Sequence, residues 1–288
     1  MMQLTRFDSI EAFWPLAEPF LCQYEAEHNL MLGIGGALRE GLHSASEPYM
    51  ALVTEGESID LVALRTPPRE LLISCGASQT AIDVLADDLL TADPALNGVT
   101  AASEVSLGFV QAWQAGKGVS ARRHMAMRIY RLDGVMPPQR PASGRMRAAR
   151  FEERALLIEW AVAFSAEAVD VLTRDDAARL IERMMTGDPI RNGLRVWEDD
   201  GHVVSMAAYA GPTPHGIRVN LVYTPPELRG RGYASACVAA LSQELLQSGK
   251  QFCFLFTDLA NPTSNHIYQT IGYHPVSDVD LYRFGEGT

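Results

Sequence analysis

Residues 217–247 read as a strand that runs through a broken segment into a glycine-rich turn and then a helix. The apolar run Ile217-Arg218-Val219-Asn220-Leu221-Val222-Tyr223 is followed by Thr224-Pro225-Pro226-Glu227-Leu228, and Arg229-Gly230-Arg231-Gly232-Tyr233-Ala234 opens a helical pattern that stops at Gly249. A helix entered this way starts with N–H groups that have no intrahelical acceptor, at the positive end of its dipole. Gly230 and Gly232 let the backbone take unusual dihedrals and approach a ligand closely, and Arg229 and Arg231 can add charge-assisted contacts. The expectation is an anion cradle, with a plain helix cap as the structural alternative. Its spacing is neither Gly-x-x-x-x-Gly-Lys-Ser/Thr nor Gly-x-Gly-x-x-Gly, which disfavours a P-loop and a Rossmann turn.

The surrounding pattern predicts helices over 151–168 and 175–185. Strands follow over 194–197 and 203–210, joined through the turn step Asp200-Gly201, then the strand 217–223, the helix 233–247, a strand over 252–256, a helix over 263–271 and a strand over 281–284. A break at Met136-Pro137-Pro138-Gln139-Arg140-Pro141-Ala142-Ser143-Gly144 interrupts every pattern. It places a domain boundary there: 1–136, a linker 137–144, and 145–288. A length of 288 residues favours two cores. The first half gives a similar order: a helix over 10–28, strands near 49–53, 59–64 and 70–74, helices over 79–90 and 104–114, and a strand near 125–130. The two halves read either as copies of one fold or as a catalytic domain with an unrelated α+β cap.

A net charge of -11 disfavours binding to nucleic acid or to an anionic membrane. No basic, apolar leader opens the sequence and no window reaches membrane-spanning length, so the expected location is cytoplasmic. Cys22, Cys75, Cys237 and Cys253 are too scattered for a metal cluster and read as reduced thiols. No metal is expected.

A second segment, Asn261-Pro262-Thr263-Ser264-Asn265-His266-Ile267-Tyr268-Gln269-Thr270-Ile271-Gly272-Tyr273, has the form Asn-x-x-Ser-x-x-x-Tyr-x-x-x-Gly-Tyr. Together with Arg229-x-x-Gly232-x-Ala234 after the strand Asn220-Leu221-Val222-Tyr223, it resembles the two signatures of the GCN5-related N-acetyltransferases, over residues 145–288. The resemblance implies an α+β (α/β) fold of the acyl-CoA N-acyltransferase type, with a mixed, mostly antiparallel central sheet flanked by helices, in two tandem domains. The N-terminal half lacks an Arg-x-x-Gly-x-Gly/Ala turn: its corresponding segment, Leu72 to Ser78, has one glycine. A degenerate copy there would have lost the pyrophosphate cradle.

What the resemblance implies residue by residue is an acetyl-CoA co-substrate. Its pantetheine arm would pair with Leu221, Val222 and Tyr223, and its pyrophosphate with the amides of Arg229, Gly230, Arg231, Gly232, Tyr233 and Ala234. Asn261 and Ser264 would also contact coenzyme A, and Tyr268 would protonate the departing thiolate. The alternatives are a packed helix tyrosine for Tyr268 and a helix N-cap for Asn261. Where some members place a carboxylate base in the strand before the turn, this chain has Arg218 and Asn220. Proton transfer through water to Glu198, Asp199, Asp258 or Tyr209 is the remaining route. Cys253 reads as core, not nucleophile.

The resulting reading is an N-acetyltransferase acting on a small-molecule or peptide amine by direct attack on the thioester. Its N-terminal domain caps, shapes the acceptor groove or makes a homodimer. The rival is a noncatalytic protein that binds or senses acyl-CoA.

Overall fold

The computed structural model describes residues 1–42, 47–137, 142–168 and 171–285. The chain divides into two compact units, Met1–Ile129 with Val276–Thr288, and Tyr130–Pro275. The elements run β1 (Met2–Arg6), α1 (Ile10–Leu21), α2 (Asn29–Arg39), β2 (Tyr49–Glu55), β3 (Ser58–Arg65), β4 (Leu71–Ile73), α3 (Gln79–Ala92), β5 (Gly98–Ala102), α4 (Ser103–Lys117) and β6 (Ser120–Leu132). They continue β7 (Arg145–Ala148), α5 (Arg154–Glu167), α6 (Arg174–Thr186), β8 (Asn192–Asp199), β9 (His202–Ala210), β10 (Gly216–Tyr223), α7 (Tyr233–Gln247), β11 (Phe252–Asp258), α8 (Pro262–Thr270) and β12 (His274–Gly285). The second series repeats the first element for element. The fold is the expected mixed α/β one, with a mostly antiparallel sheet between helices.

In the first unit the strands lie in the order β1-β2-β3-β4-β5-β12, antiparallel except for the β4–β5 pair. Alternation sorts the core by face. Ala51, Val53, Leu61 and Ala63 pack with Ile82, Leu85 and Leu89 of α3 and with Phe109 and Trp113 of α4. Met50, Leu52, Val62 and Leu64 pack with Phe13, Trp14 and Leu21 of α1 and Met31 and Leu32 of α2.

The division differs from the expected 1–136 and 145–288 because Val279 to Arg283 of β12 pair antiparallel with Gly98 to Ala102, which gives the C-terminal strand to the first unit. Gly98 permits that pairing, since a Cβ there would stand 2.3 Å from the Tyr282 carbonyl oxygen. Pro138 to Pro141 of the expected linker lie outside the described residues. The helix expected over 10–28 ends at Leu21, and a further helix, α2, follows it. The glycines Gly33, Gly35 and Gly36 hide α2 from a propensity reading. At Gly35 the reason for glycine is packing: the Trp14 ring occupies the space a Cβ would take.

The second unit has the order β7-β8-β9-β10-β11. β7 through β10 are antiparallel neighbours, and β10 pairs parallel with β11. The β8–β9 hairpin turns at Asp200 (φ 47°) and Gly201 (φ 75°), the left-handed pair that a tight turn of this hand requires. On one face of the sheet, Ile217, Val219, Ala207 and Tyr209 pack with Cys237, Val238 and Leu241 of α7. On the other, Leu194, Val196, Met206 and Ala208 pack with Leu157, Trp160 and Ala161 of α5 and Ile181 of α6.

Candidate functional site

Leu221, Val222 and Tyr223 stand where β10 loses its regular pairing. In the ladder to β9, Asn220 faces Ala208 and Tyr223 faces Met206, so the two residues Leu221 and Val222 stand against Ala207 alone, a β-bulge. Leu221 takes φ 49°, a left-handed conformation that a leucine adopts only under surrounding constraint. The bulge inverts the alternation of the strand. Ile217 and Val219 face α7, whereas Leu221 and Tyr223 join the core against α5 and α6 and Val222 packs on the α7 side. On the opposite edge of β10, the parallel ladder to β11 runs only from Gly216↔Phe252 to Arg218↔Phe254 among the described residues. The backbone of residues 220–223 thus presents an edge that β11 does not cover.

Beyond the strand a short 3-10 turn, Pro226–Leu228, leads to the glycine pair. Gly230 has φ 77° and Gly232 φ 82°, so both need the left-handed freedom of glycine. Gly232 is the N-cap of α7 and offers no side-chain cap. The other helices with polar caps satisfy an early amide: Ser9 accepts from the Ala12 N–H, Ser78 from Ala81, Thr173 from Asp176 and Asn261 from Ser264. At α7 the amides of Gly230 to Ala234 find no acceptor among the described residues. They form a row of donors at the positive end of the α7 dipole.

The two arginines of the turn divide their work. The Arg229 Nε donates to the Thr224 carbonyl oxygen at 2.9 Å, and its Nη2 pairs with both carboxylate oxygens of Glu167 at 2.8 and 2.9 Å, with the guanidinium 5.8 Å from the Tyr223 ring centre. That side chain braces the turn against α5. Arg231 is exposed. The Tyr233 hydroxyl donates to Asp199 Oδ2 at 2.5 Å, and the Ser143 hydroxyl donates to the same atom at 2.8 Å. These bonds, the one from Tyr233 first, hold the Asp199 carboxyl below its ordinary range.

Tyr268 lies on α8 with its ring buried and centred 6.0 Å from Tyr273 and 6.5 Å from Tyr130. Its hydroxyl makes no hydrogen bond among the described residues. Burial pushes the phenol up to about 12, so it stays protonated at neutral pH. The packed-tyrosine alternative has the hydroxyl bonded to backbone or to water, and among the described residues no backbone group takes that bond. Asn261 does cap α8, its Oδ1 accepting from the Ser264 N–H at 3.0 Å, with Pro262 at the first helical position. Ser264 is half-buried in the same first turn.

A polar network that sequence spacing does not reveal supports this helix. The Tyr130 hydroxyl donates to Asn265 Oδ1 at 3.0 Å and accepts from Gln269 Nε2 at 2.9 Å. The Asn265 amide also donates to the carbonyls of Asp258 and Asn261. Asn265 and Gln269 sit at i and i+4 on one face of α8, which is the signal available in the sequence; their partner, more than a hundred residues earlier, is not.

The alternative proton acceptors are engaged elsewhere. Glu198 accepts from Arg147 Nε at 2.7 Å, which holds its carboxyl below the usual range. The Tyr209 hydroxyl donates to the Pro189 carbonyl. Asp258 Oδ1 accepts from the Ala260 N–H. Cys253 is buried, and burial pushes its thiol to about 12, which rules out a thiolate at neutral pH. Among the described residues, no cluster of three His, Cys, Asp or Glu side chains has the arrangement of a metal site. No helix among them is long and apolar enough to cross a membrane.

The family model described as "Acetyltransferase (GNAT) family" matches residues 157–273, the stretch that holds the bulge, the α7 turn and α8. These residues form a GNAT-family domain. A GCN5-related N-acetyltransferase from Sphaerobacter thermophilus is similar in fold, with a TM-score of 0.60 at 17% identity, covering 97% of this chain and 95% of that one. An acetyltransferase of the GNAT family from Colwellia psychrerythraea gives a TM-score of 0.58 at 11% identity over 99% of this chain and 100% of its own. A tandem GNAT protein from the clavulanic acid biosynthesis pathway covers 100% of this chain and 99% of itself, with a TM-score of 0.55 at 11% identity. No curated protein sequence matches the chain. The N-terminal half also has the GNAT fold, in agreement with the repeated element order.

In the first unit the turn after β4 differs at the atoms that matter. The Ser78 N–H donates to Asp60 Oδ1 at 2.8 Å, the Ser78 hydroxyl caps Ala81, and the Cys75 N–H donates to His28 Nε2 at 3.0 Å. One amide of this turn, that of Ser78, is thus spent on a carboxylate of the chain itself.

Proposed function

We propose that the GNAT domain is an acetyl-CoA-dependent N-acetyltransferase whose donor site runs from the β10 bulge to the N-terminus of α7. The observation that carries this reading is the row of amides at Gly230 to Ala234 on a glycine-entered helix, without acceptors among the described residues and followed back along the chain by the strand edge of residues 221–223 that β11 does not pair. The donor set fits the cofactor. A pyrophosphate wants several N–H donors and no carboxylate, and a pantetheine amide wants a free strand edge.

When bound, acetyl-CoA supplies an activated acyl thioester. The chain's residues bind and orient it: the Gly230, Arg231, Gly232, Tyr233 and Ala234 amides hold the pyrophosphate, Arg231 adds a screened positive charge, and the backbone of Leu221 to Tyr223 aligns the arm. Arg229 braces the turn on Glu167 and the Thr224 carbonyl oxygen; its own N–H, expected among the pyrophosphate donors, is spent on the Pro226 carbonyl oxygen. Tyr268 keeps its proton and donates a hydrogen bond where negative charge grows on sulfur. With a phenol near 12 set against a thiol near ~8.5, complete transfer to the thiolate is uphill, so the bond itself carries the stabilisation. Asn261 and Ser264 line the first turn of α8 beside it. The acceptor is a small-molecule or peptide amine, and attack is direct because Cys253 is inert.

The reading is tested by following thiol release from acetyl-CoA with a panel of primary amines. Turnover with one or more supports it. Tight coenzyme A binding with no turnover for any amine favours instead a sensing protein, the reading suggested by the absence of a carboxylate base on β10.

A further inference from the structure

Asn220 carries a buried side-chain oxygen, Oδ1, that no hydrogen bond from the described residues satisfies. Such an atom is destabilising unless a donor reaches it, so its survival at a strand centre calls for a partner. Among the described residues three other buried polar atoms share the condition: the indole nitrogens of Trp14 and Trp113 belong to the first unit, and Asn192 Oδ1 stands at the start of β8 against Gly187. Asn220 differs by position. It immediately precedes Leu221, the bulged residue with φ 49°, and lies two residues past Arg218, where the pairing of β10 with β11 ends.

The register also gives its face. Asn220 pairs with Ala208, whose methyl belongs to the core under α5 and α6, so the amide lies on that face and not on the α7 face. The small alanine opposite leaves the amide without a large cross-strand neighbour. The unsatisfied atom is an acceptor, and it therefore selects a ligand that brings an N–H or O–H. The donor-site backbone at 221–223 begins at the next residue.

We infer that Asn220 binds the acceptor amine, its Oδ1 taking one N–H of the incoming primary amine and so turning the nitrogen lone pair toward the thioester aligned on Leu221 to Tyr223. This rests on the acetyltransferase reading and extends it to the second substrate. An amide oxygen accepts a hydrogen bond but not a proton at neutral pH, so Asn220 orients the amine without acting as base. In the transfer, an N–C bond forms and the C–S bond breaks with its electron pair on sulfur. One proton leaves nitrogen for solvent, and the sulfur takes up one.

The full-length chain is compared with N220L, which removes the acceptor oxygen at similar volume, with N220A, and with N220D, which keeps an acceptor oxygen. Coenzyme A affinity is measured by calorimetry. Thiol release is followed with spermidine, L-lysine, L-methionine, tyramine, kanamycin and an alanine-led tetrapeptide. The expected result is a KM for the accepted amine raised about tenfold or more in N220L and N220A, with coenzyme A affinity within about twofold, and substantial recovery of KM in N220D. An unchanged amine KM in folded N220L or N220A overturns the assignment while leaving the enzyme reading intact. Loss of coenzyme A affinity in both variants overturns it as well, by assigning Oδ1 to the donor. If the wild-type chain binds coenzyme A but acetylates none of the amines, the enzyme reading falls and this inference falls with it.

Discussion

Substitution of Gly232 isolates the cradle from the rest of the fold. Gly232 sits at φ 82° and ψ 2°, where an L-residue costs about 1–2 kcal/mol. For a unit of this size each kcal/mol lowers the melting temperature by roughly 2–4 °C, so Gly232→Ala is expected to melt about 2–8 °C lower and remain folded. Gly232→Glu adds a carboxylate at the N-terminus of α7, where it competes for the donor row and repels a pyrophosphate. Each charge-assisted bond lost is worth about 1.5–3 kcal/mol, so coenzyme A binding is expected to weaken by roughly 10- to 150-fold per bond, and more in the glutamate variant. Gly230→Ala is the companion: among the described residues nothing beyond its chain neighbours lies within 4 Å of the added Cβ, so beyond its backbone strain any loss of affinity reports space the ligand needs. Calorimetric titration with coenzyme A, paired with thermal melts, reads both quantities. Retention of wild-type affinity within about threefold by folded Gly232→Glu refutes the cradle.

Tyr268→Phe is expected to lower kcat by about 10- to 100-fold, the worth of one charge-assisted hydrogen bond, with coenzyme A affinity nearly unchanged; steady-state kinetics with wild-type kcat would remove Tyr268 from the reaction. One coenzyme A is expected per chain, because in the first unit the Asp60 carboxylate takes the Ser78 amide and would repel a phosphate there; a calorimetric stoichiometry of two would contradict that. Stability is expected to depend on His28. Its Nδ1 bonds the Leu21 carbonyl and its Nε2 accepts from the Cys75 N–H, and burial lowers its pKa below the ordinary 6.5. The unfolded chain therefore binds the proton more readily, so the contribution is complete above about pH 6.5 and is lost as pH falls below it, at up to ~1.4 kcal/mol per pH unit. Denaturant unfolding between pH 7.5 and 5 checks this, and a slope unaltered by His28→Gln would count against it.

Much of the second unit was legible because its signals are local. The Asp200-Gly201 turn, the strand into Arg229-Gly230-Arg231-Gly232, and the cap at Asn261-Pro262 each depend on neighbours within a few residues. The bulge was not legible, because Ile217, Val219, Leu221 and Tyr223 look like one unbroken alternation, and only packing against two different helical layers divides them. Arg229 looked like a phosphate ligand until its partner Glu167, distant in sequence, was placed beside it. The place of the C-terminal strand is hidden in the sequence for the same reason: its ladder partner, Gly98 to Ala102, is a short, small-residue segment with little strand character of its own.

A crystal structure of the full chain with acetyl-CoA bound tests the central claim most directly. The pyrophosphate is expected on the amides of Gly230 to Ala234, the arm along Leu221 to Tyr223, and the sulfur within hydrogen-bond reach of the Tyr268 hydroxyl. A ligand held instead at the Ser78 turn, or a sulfur far from Tyr268, would contradict it.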